Sequence, residues 1–221
     1  MNPGARVALF CCTFLAAQAR AQVWSQVDFE GGVTVWQRSV PGQSLVEFRG
    51  QTVVDASMLR TLAVIRDDSH MHEWGDHSTF GFTLQRSANV EVAYSHARSP
   101  SFLVSDRDLV FEATIRALPQ DHSIRIDLRA TQHRDMPEQA GVVRITDLHG
   151  YWLLHEVSPT RTEVTMEVNA DPSGHIPHWL VNLTTRRFPL RTLASLHEQV
   201  KKPCPEARLG AYEKIVAAAA P

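Results

Sequence analysis

The chain has 221 residues, 43% hydrophobic and 21% charged, with a formal net charge of −2. That gives room for one domain of ordinary size and enough apolar material for a real core. Apart from the neighbours Arg186 and Arg187, the arginines stand singly or alternate with acids, which excludes the basic stripe of a nucleic-acid-binding protein.

In chain order, the first element lies outside that domain. Arg6 precedes an apolar run from Val7 to Ala17, and Ala17-Gln18-Ala19 and Ala19-Arg20-Ala21 carry small residues at the spacing a signal peptidase needs. This predicts a signal peptide over 1–21, cleaved after Ala21, and export to the periplasm or secretion. The run is shorter than the roughly 20 apolar residues of a bilayer span; a retained N-terminal anchor is the alternative. Phe10 before Cys11 argues against a lipoprotein, because a lipobox wants a small residue there. Cleavage removes Arg6 and Arg20, taking the charge from −2 to −4, and leaves Cys204 as the only cysteine, so no internal disulfide is expected.

From Gly31 onward period-two alternation dominates. Val33, Val35 and the segment Leu45 to Val54 predict two strands joined by a Pro41-Gly42 turn. Leu59, Leu62 and Ile65 predict a short amphipathic helix with Asp55 as N-cap, followed by an irregular, His-rich stretch through Trp74 and His77. Strands follow at Phe80 to Ser87 and at Val90 to Tyr94, where Val90, Val92 and Tyr94 are expected to point inward. In Asp108 to Leu118 the face Leu109, Phe111, Ala113, Ile115 is apolar; Ile124, Ile126, Leu128 and Ala130 repeat it after a Pro119–His122 hairpin. Val142 to Val157 predicts one bent strand or two, with a bulge or bend at Gly150, and Thr162 to Val168 closes the series. The cover for this half-apolar sheet is a helix from Ile176 to Val200, with Pro177 in its first turn and a kink at Pro189. Leu209, Tyr212 and Val216 suggest a short final helix in a tail over 203–221. The plan is α+β.

Three segments carry a resemblance. Val92 to Val110, with Tyr94, Pro100, Ser105, Arg107 and Asp108, is similar to the most recognisable stretch of START lipid-transfer domains, members of the helix-grip superfamily. Asp171 to Asn182 resembles that family's entry into its C-terminal helix, with Gly174, Pro177, Trp179 and Asn182 in place. The opening Gly31 to Val35 followed by Arg38 is the third match, and Asp67 and Trp74 fit the family's run from a helix into a Trp-containing segment. The resemblance spans Trp24 to Val200. It implies a domain over 22–202 in which a curved antiparallel sheet grips a long C-terminal helix around an internal hydrophobic cavity. The implied lid is Pro100 to Asp106 together with that helix. The implied ligand contacts are Trp74, Tyr94, Phe102, Leu103, Arg107, Phe111, Trp152, Trp179, Asn182 and Leu183. The implied partners are a lipid or other hydrophobic small molecule and, transiently, a membrane touched by Phe102-Leu103-Val104; a monomer is expected and no cofactor is implied. One departure is the short lead before Gly31, where the family often has a longer helix, so one side of the sheet is less covered or covered differently.

Arg107 and Asp108 are adjacent on a strand and must face opposite sides. Arg107, on the side of Leu109 and Phe111, is either a polar hook for a headgroup or a hydrogen-bonding brace for the next loop. His70, His72 and His77 lack the cysteines and further donors that a zinc site wants. No nucleophile elbow, phosphate-cradling loop or His-Glu-x-x-His motif is present, so an enzyme is not expected. The alternative is a cyclase- or hydrolase-like helix-grip enzyme acting on a small hydrophobic substrate. Its mark is an acid or His facing the cavity with a perturbed pKa. Of the candidates Glu112, Asp127 and His155, alternation puts the first two on the polar face. A pure interaction module, the third possibility, requires a filled interior.

Overall fold

In the computed structural model, residues 23–42, 44–99, 104–174, 176, 181–182 and 185–203 are described. The strands are β1 (Ser25–Glu30), β2 (Val33–Ser39), β3 (Val46–Val54), β4 (Ser78–Arg86), β5 (Val90–Ala97), β6 (Arg107–Leu118), β7 (Ser123–Ala130), β8 (Val143–Ile145), β9 (Asp147–Ser158) and β10 (Arg161–Asp171). Among the described residues, helix α1 (Met58–Ile65) lies between β3 and β4 and helix α2 (Phe188–Gln199) follows β10. A 3-10 turn over Asp68–Glu73 links α1 to β4.

The sheet is curved and unclosed, in the order β1-β2-β3-β10-β9-β7-β6-β5-β4, with β8 lying parallel to the start of β6. Every neighbouring pair along that order is antiparallel. Chain-distant β3 and β10 meet in the middle, so the link through α1 and the 3-10 turn must cross from the centre of the sheet to its far edge at β4. α1 packs under β9 and β10 and α2 under β2 and β3. Val35, Phe48, Leu62, Met166, Leu193 and Leu196 are buried between them.

Ser57, not Asp55, caps α1: its hydroxyl accepts from the Arg60 N–H at 3.3 Å, while Asp55 is exposed and pairs with Arg161 at 3.3 Å. Arg60 in turn donates to the carbonyls of Val200 (3.1 Å) and Lys202, tying α1 to the end of α2. Pro189 does not kink a continuous helix. Helical residues Val181, Asn182 and Thr185 give way to a turn at Arg186–Arg187, and α2 restarts with Pro189 in its first turn, where the missing N–H costs nothing. Gly50 lies beneath that restart: a Cβ there would stand 2.7 Å from Leu193 Cδ1 and 2.8 Å from Pro189 Cβ. Gly150 is not a bulge. The β9–β10 register runs through Gly150↔Val168 without a shift, and the glycine is there because a Cβ would stand 2.2 Å from the Glu167 carbonyl oxygen.

The convex face lacks a covering helix among the described residues and is covered by its own charges. Glu167 accepts from Arg49 Nη2 (2.7 Å), from Tyr151 Oη (3.1 Å) and, on its other oxygen, from Arg38 Nη2 (3.2 Å). Arg38 also pairs with Glu47. The guanidinium carbons of Arg38 and Arg49 lie 4.5 and 4.2 Å from the Trp24 ring centre, and that of Arg125 lies 3.7 Å from the Tyr151 ring.

Candidate functional site

The concave face and the helices do not meet everywhere. Between them is a cavity of about 330 Å³. Its middle is apolar: Leu109, Phe111, Trp152, Met166, Val168 and Ile145 face it from β6, β9, β10 and β8. Alternation explains the set, because β6 turns odd-numbered residues inward and the cross-strand partners Ile126↔Trp152↔Met166 share that face.

Both ends of the cavity are polar, and they differ. At one end, beside Ala97 and Pro172, the Arg107 guanidinium donates to the carbonyls of Pro172 (3.2 Å), Ser173 (3.3 Å) and Ser105. It braces the loop after β10, and burial lowers its pKa from the ordinary arginine value. At the other end, six residues away along β5 and so about 20 Å off by strand rise, stand Ile65, Arg66, Asp68 and Glu91. Arg66 Nε and Nη2 donate to Glu91 Oε2 at 3.0 and 2.8 Å, with both side chains 3% exposed. Arg86 donates to Glu91 Oε1, and Thr83 Oγ1 lies 2.7 Å from that oxygen and 2.9 Å from Asp68 Oδ2. Burial, reinforced by the charge of Glu91, pushes the Asp68 carboxyl up to about 7. Burial pulls Glu91 the same way, but the hydrogen bonds of Arg86, Thr83 and Asp68 and the Arg66 charge outweigh it, leaving Glu91 below the usual carboxylate value.

Of the residues singled out from sequence, Arg107, Phe111 and Trp152 face the cavity. Trp74 does not reach it; its ring packs edge-on against Trp152 at 6.1 Å. Tyr94 faces the opposite way. β5 turns Glu91, Ala93, Ser95 and Ala97 inward, so Val90, Val92 and Tyr94 lie on the convex side, contrary to the expectation. There Tyr94 packs against Phe82 and Phe80, and its hydroxyl donates to Asp108 Oδ2 at 3.2 Å. Burial and the Asp108 charge push its pKa to about 12. Asp108, facing away from Arg107, is held by Arg144 at 2.7 Å. Asn182 lines a separate, polar pocket of about 250 Å³ and clips the start of β3, accepting from the Val46 N–H at 3.0 Å. Phe102, Leu103, Trp179 and Leu183 lie outside the described residues, as do Pro100 to Leu103 of the expected lid.

Glu112 and Asp127 pair with Arg129 (2.7 Å) and Arg125 (2.8 Å) on the convex face, and His155 Nδ1 sits 3.0 Å from the Asp121 carbonyl. His70 pairs with Asp67 at 2.8 Å and His72 Nδ1 lies 3.0 Å from the Ser69 carbonyl; among the described residues no three side chains form a metal site. The acids that do line the cavity with perturbed pKa values are Asp68, shifted up, and Glu91, shifted down, neither of which the sequence singled out.

The START domain family model matches residues 8–204. An uncharacterised protein of Pseudomonas aeruginosa is 31% identical over 189 residues, covering 85% of this chain and 92% of that protein. Human START domain-containing protein 10 is 23% identical over 191 residues, 84% of this chain; the match spans 64% of that protein's length. Among solved structures, the STAR-related lipid transfer protein fragment of Xanthomonas axonopodis superposes with a TM-score of 0.75 at 29% identity, covering 81% of this chain and 99% of the fragment. A family model that takes in nearly the whole chain, on a sheet that grips a C-terminal helix around an apolar hollow, places this protein in the START domain family.

Proposed function

We propose that this protein binds one hydrophobic small molecule, a lipid, in the cavity and transfers it through water between membranes. The observation that carries the reading is the apolar hollow walled by Leu109, Phe111, Trp152, Met166 and Val168. Such a space favours hydrocarbon over water, at about 0.8 kcal/mol per buried CH₂. The lipid-transfer names of its relatives support it. Export after cleavage at Ala21, a monomeric state and membrane contact through the Phe102-Leu103-Val104 loop are part of the proposal. Mass spectrometry of organic extracts from protein purified out of its native compartment should find one class of lipid in stoichiometric amount. Empty extracts together with no uptake of any fluorescent lipid overturn the reading. For the loop, Leu103→Asp should slow transfer between vesicles; unchanged transfer removes it as the membrane-facing gate.

A second reading, a helix-grip enzyme of the cyclase or hydrolase kind, is favoured by one observation: Asp68, whose carboxyl is pushed up to about 7, faces the cavity. Asp68→Asn separates the two. A carrier keeps its lipid and its transfer rate, whereas an enzyme that uses this acid binds substrate and no longer turns it over.

A further inference from the structure

Arginines that leave solvent in this fold meet carboxylates: Arg66 and Arg86 on Glu91, Arg38 and Arg49 on Glu167, Arg144 on Asp108. Arg107, in the cavity wall, does not. Its Nε donates to the Pro172 carbonyl, its Nη2 to that of Ser173 and its Nη1 to that of Ser105, and none of its partners among the described residues is a carboxylate. Arg60 is likewise held by carbonyls, those of Val200 and Lys202, but it does not line the cavity.

The acids around it are engaged elsewhere. Asp106 accepts from the Ser99 N–H at 2.9 Å, and Asp108 faces the other side of the sheet, held by Arg144 at 2.7 Å. Asp76, in the same cavity wall, pairs with Arg191 at 3.5 Å. Carbonyl dipoles replace part of the water that burial removes from a guanidinium, but they bring no counter-charge. An arginine keeps its proton all the same. A guanidinium has five N–H groups, and the three carbonyls take one from each nitrogen. One N–H is left on each terminal nitrogen, and two donors in one plane suit the oxygens of a carboxylate or a phosphate.

Resting on the lipid-binding reading, we infer that Arg107 is the seat of an anionic group, a carboxylate or a phosphate, at its end of the cavity. The ligand class that follows is an acidic lipid. The volume narrows it further. At about 330 Å³ the cavity sits at the low end of the range of ligand pockets, roughly 300–1,000 Å³. It suits one chain, with two acyl chains needing more room.

The opposite end of the cavity sets the direction. It is lined by Asp68 and Glu91, and an anion placed there adds a third acid to a pair already enclosed. The anionic group therefore settles at Arg107, and the chain behind it runs along Leu109, Phe111 and Trp152. Burial, which lowers the Arg107 pKa, marks a cation that lacks full compensation in the free protein, and an arriving anion supplies it.

The test uses the purified protein loaded with Nile red, an uncharged dye, and displaces it at about pH 8, where carboxylic acids are ionised. The probes are dodecanoate, dodecyl phosphate and dodecan-1-ol. Both anions should displace the dye at about tenfold lower concentration than the alcohol, the equivalent of one hydrogen bond to a charged group. Arg107→Gln should bring the anions to the level of the alcohol, and Arg107→Lys should keep part of their advantage. Anions and alcohol that displace alike, or an advantage that survives Arg107→Gln, overturn the subsite while dye binding keeps the lipid reading intact. If no probe and no dye binds at all, the lipid reading falls and the subsite goes with it. Inorganic phosphate tells the sources of the anion apart. Left without effect on the dodecanoate curve, it makes the occupant a lipid headgroup; shifting that curve with the dye retained, it makes the occupant a free anion on the same arginine. Should Arg107→Gln not fold, the parent protein decides: the carbon-13 resonance of carboxyl-labelled dodecanoate should titrate below its value in free solution when bound. A bound carboxyl that titrates at or above that value, as burial without a cation dictates, overturns the proposal.

Discussion

The two faces of the one sheet solve opposite problems. The concave face carries Phe111, Trp152 and Met166 with a hollow beside them, and the convex face carries Glu47, Arg49, Glu167 and Tyr151. On the convex side the ions satisfy one another in partial contact with solvent, and Trp24 lies against two of the arginines. On the concave side the charged groups Arg66, Asp68 and Glu91 stand at one end of the cavity and Arg107 at the other. Identical chemistry therefore has different consequences: Glu167 in the convex lattice shares two part-exposed arginines, whereas Glu91 is enclosed with Arg66 and meets a more exposed arginine, Arg86, only on its other oxygen. This difference can be measured.

The largest effect is expected at Glu91. Glu91→Ala takes the carboxylate from beside a guanidinium that is 3% exposed, and should cost about 3–5 kcal/mol in chemical denaturation. A loss below 1 kcal/mol would mean that water reaches Arg66 freely. Next comes Gly50, where the concave face touches α2. Gly50→Val places atoms within 2.8 Å of Pro189 and Leu193, so α2 must lift; about 1–3 kcal/mol should be lost, with dye affinity reduced because α2 helps to enclose the cavity. Glu167 comes third. Glu167→Gln keeps the shape but removes a charge shared by Arg38, Arg49 and Tyr151, and with both arginines a quarter to a third exposed the cost should be about 1–2 kcal/mol. Ligand binding should not change, since Glu167 points away from the cavity.

The same contrast explains what could be seen in the sequence. Alternation located β2, β3, β5, β6, β7 and β10, because each keeps buried residues on a face, and β4, where Phe80, Phe82 and Leu84 alternate although none is buried. It missed β1, an edge strand with no buried residue to mark a face. Alternation also cannot tell which apolar face is the inside. In β5 the valines and Tyr94 form the convex packing, while the cavity takes Ser95, Ala97 and an acid, Glu91, the less apolar set. Arg107 was legible because it alternates with Leu109 and Phe111. Arg66, Asp68 and Glu91 were not, since a charge in sequence reads as solvent-facing. Only the crossing from β3 to the β4 edge, which brings the end of α1 and the 3-10 turn over β5, shows them to be enclosed.

The smallest effect is expected where the convex lattice reaches solvent. Arg129 donates to Glu112 at 2.7 Å, a good distance, but its side chain is 70% exposed. Water competes for both partners, and holding a long side chain in one rotamer offsets much of the attraction. Arg129→Ala should therefore change stability by no more than about 0.5 kcal/mol, with dye affinity unaltered. A loss comparable to that of Glu167→Gln would show that the outer ions act as one cooperative network, with the rim pair coupled to the Glu167 cluster. A double-mutant cycle between the two sites reads that coupling directly, and a value near zero is expected for pairs with no shared partner.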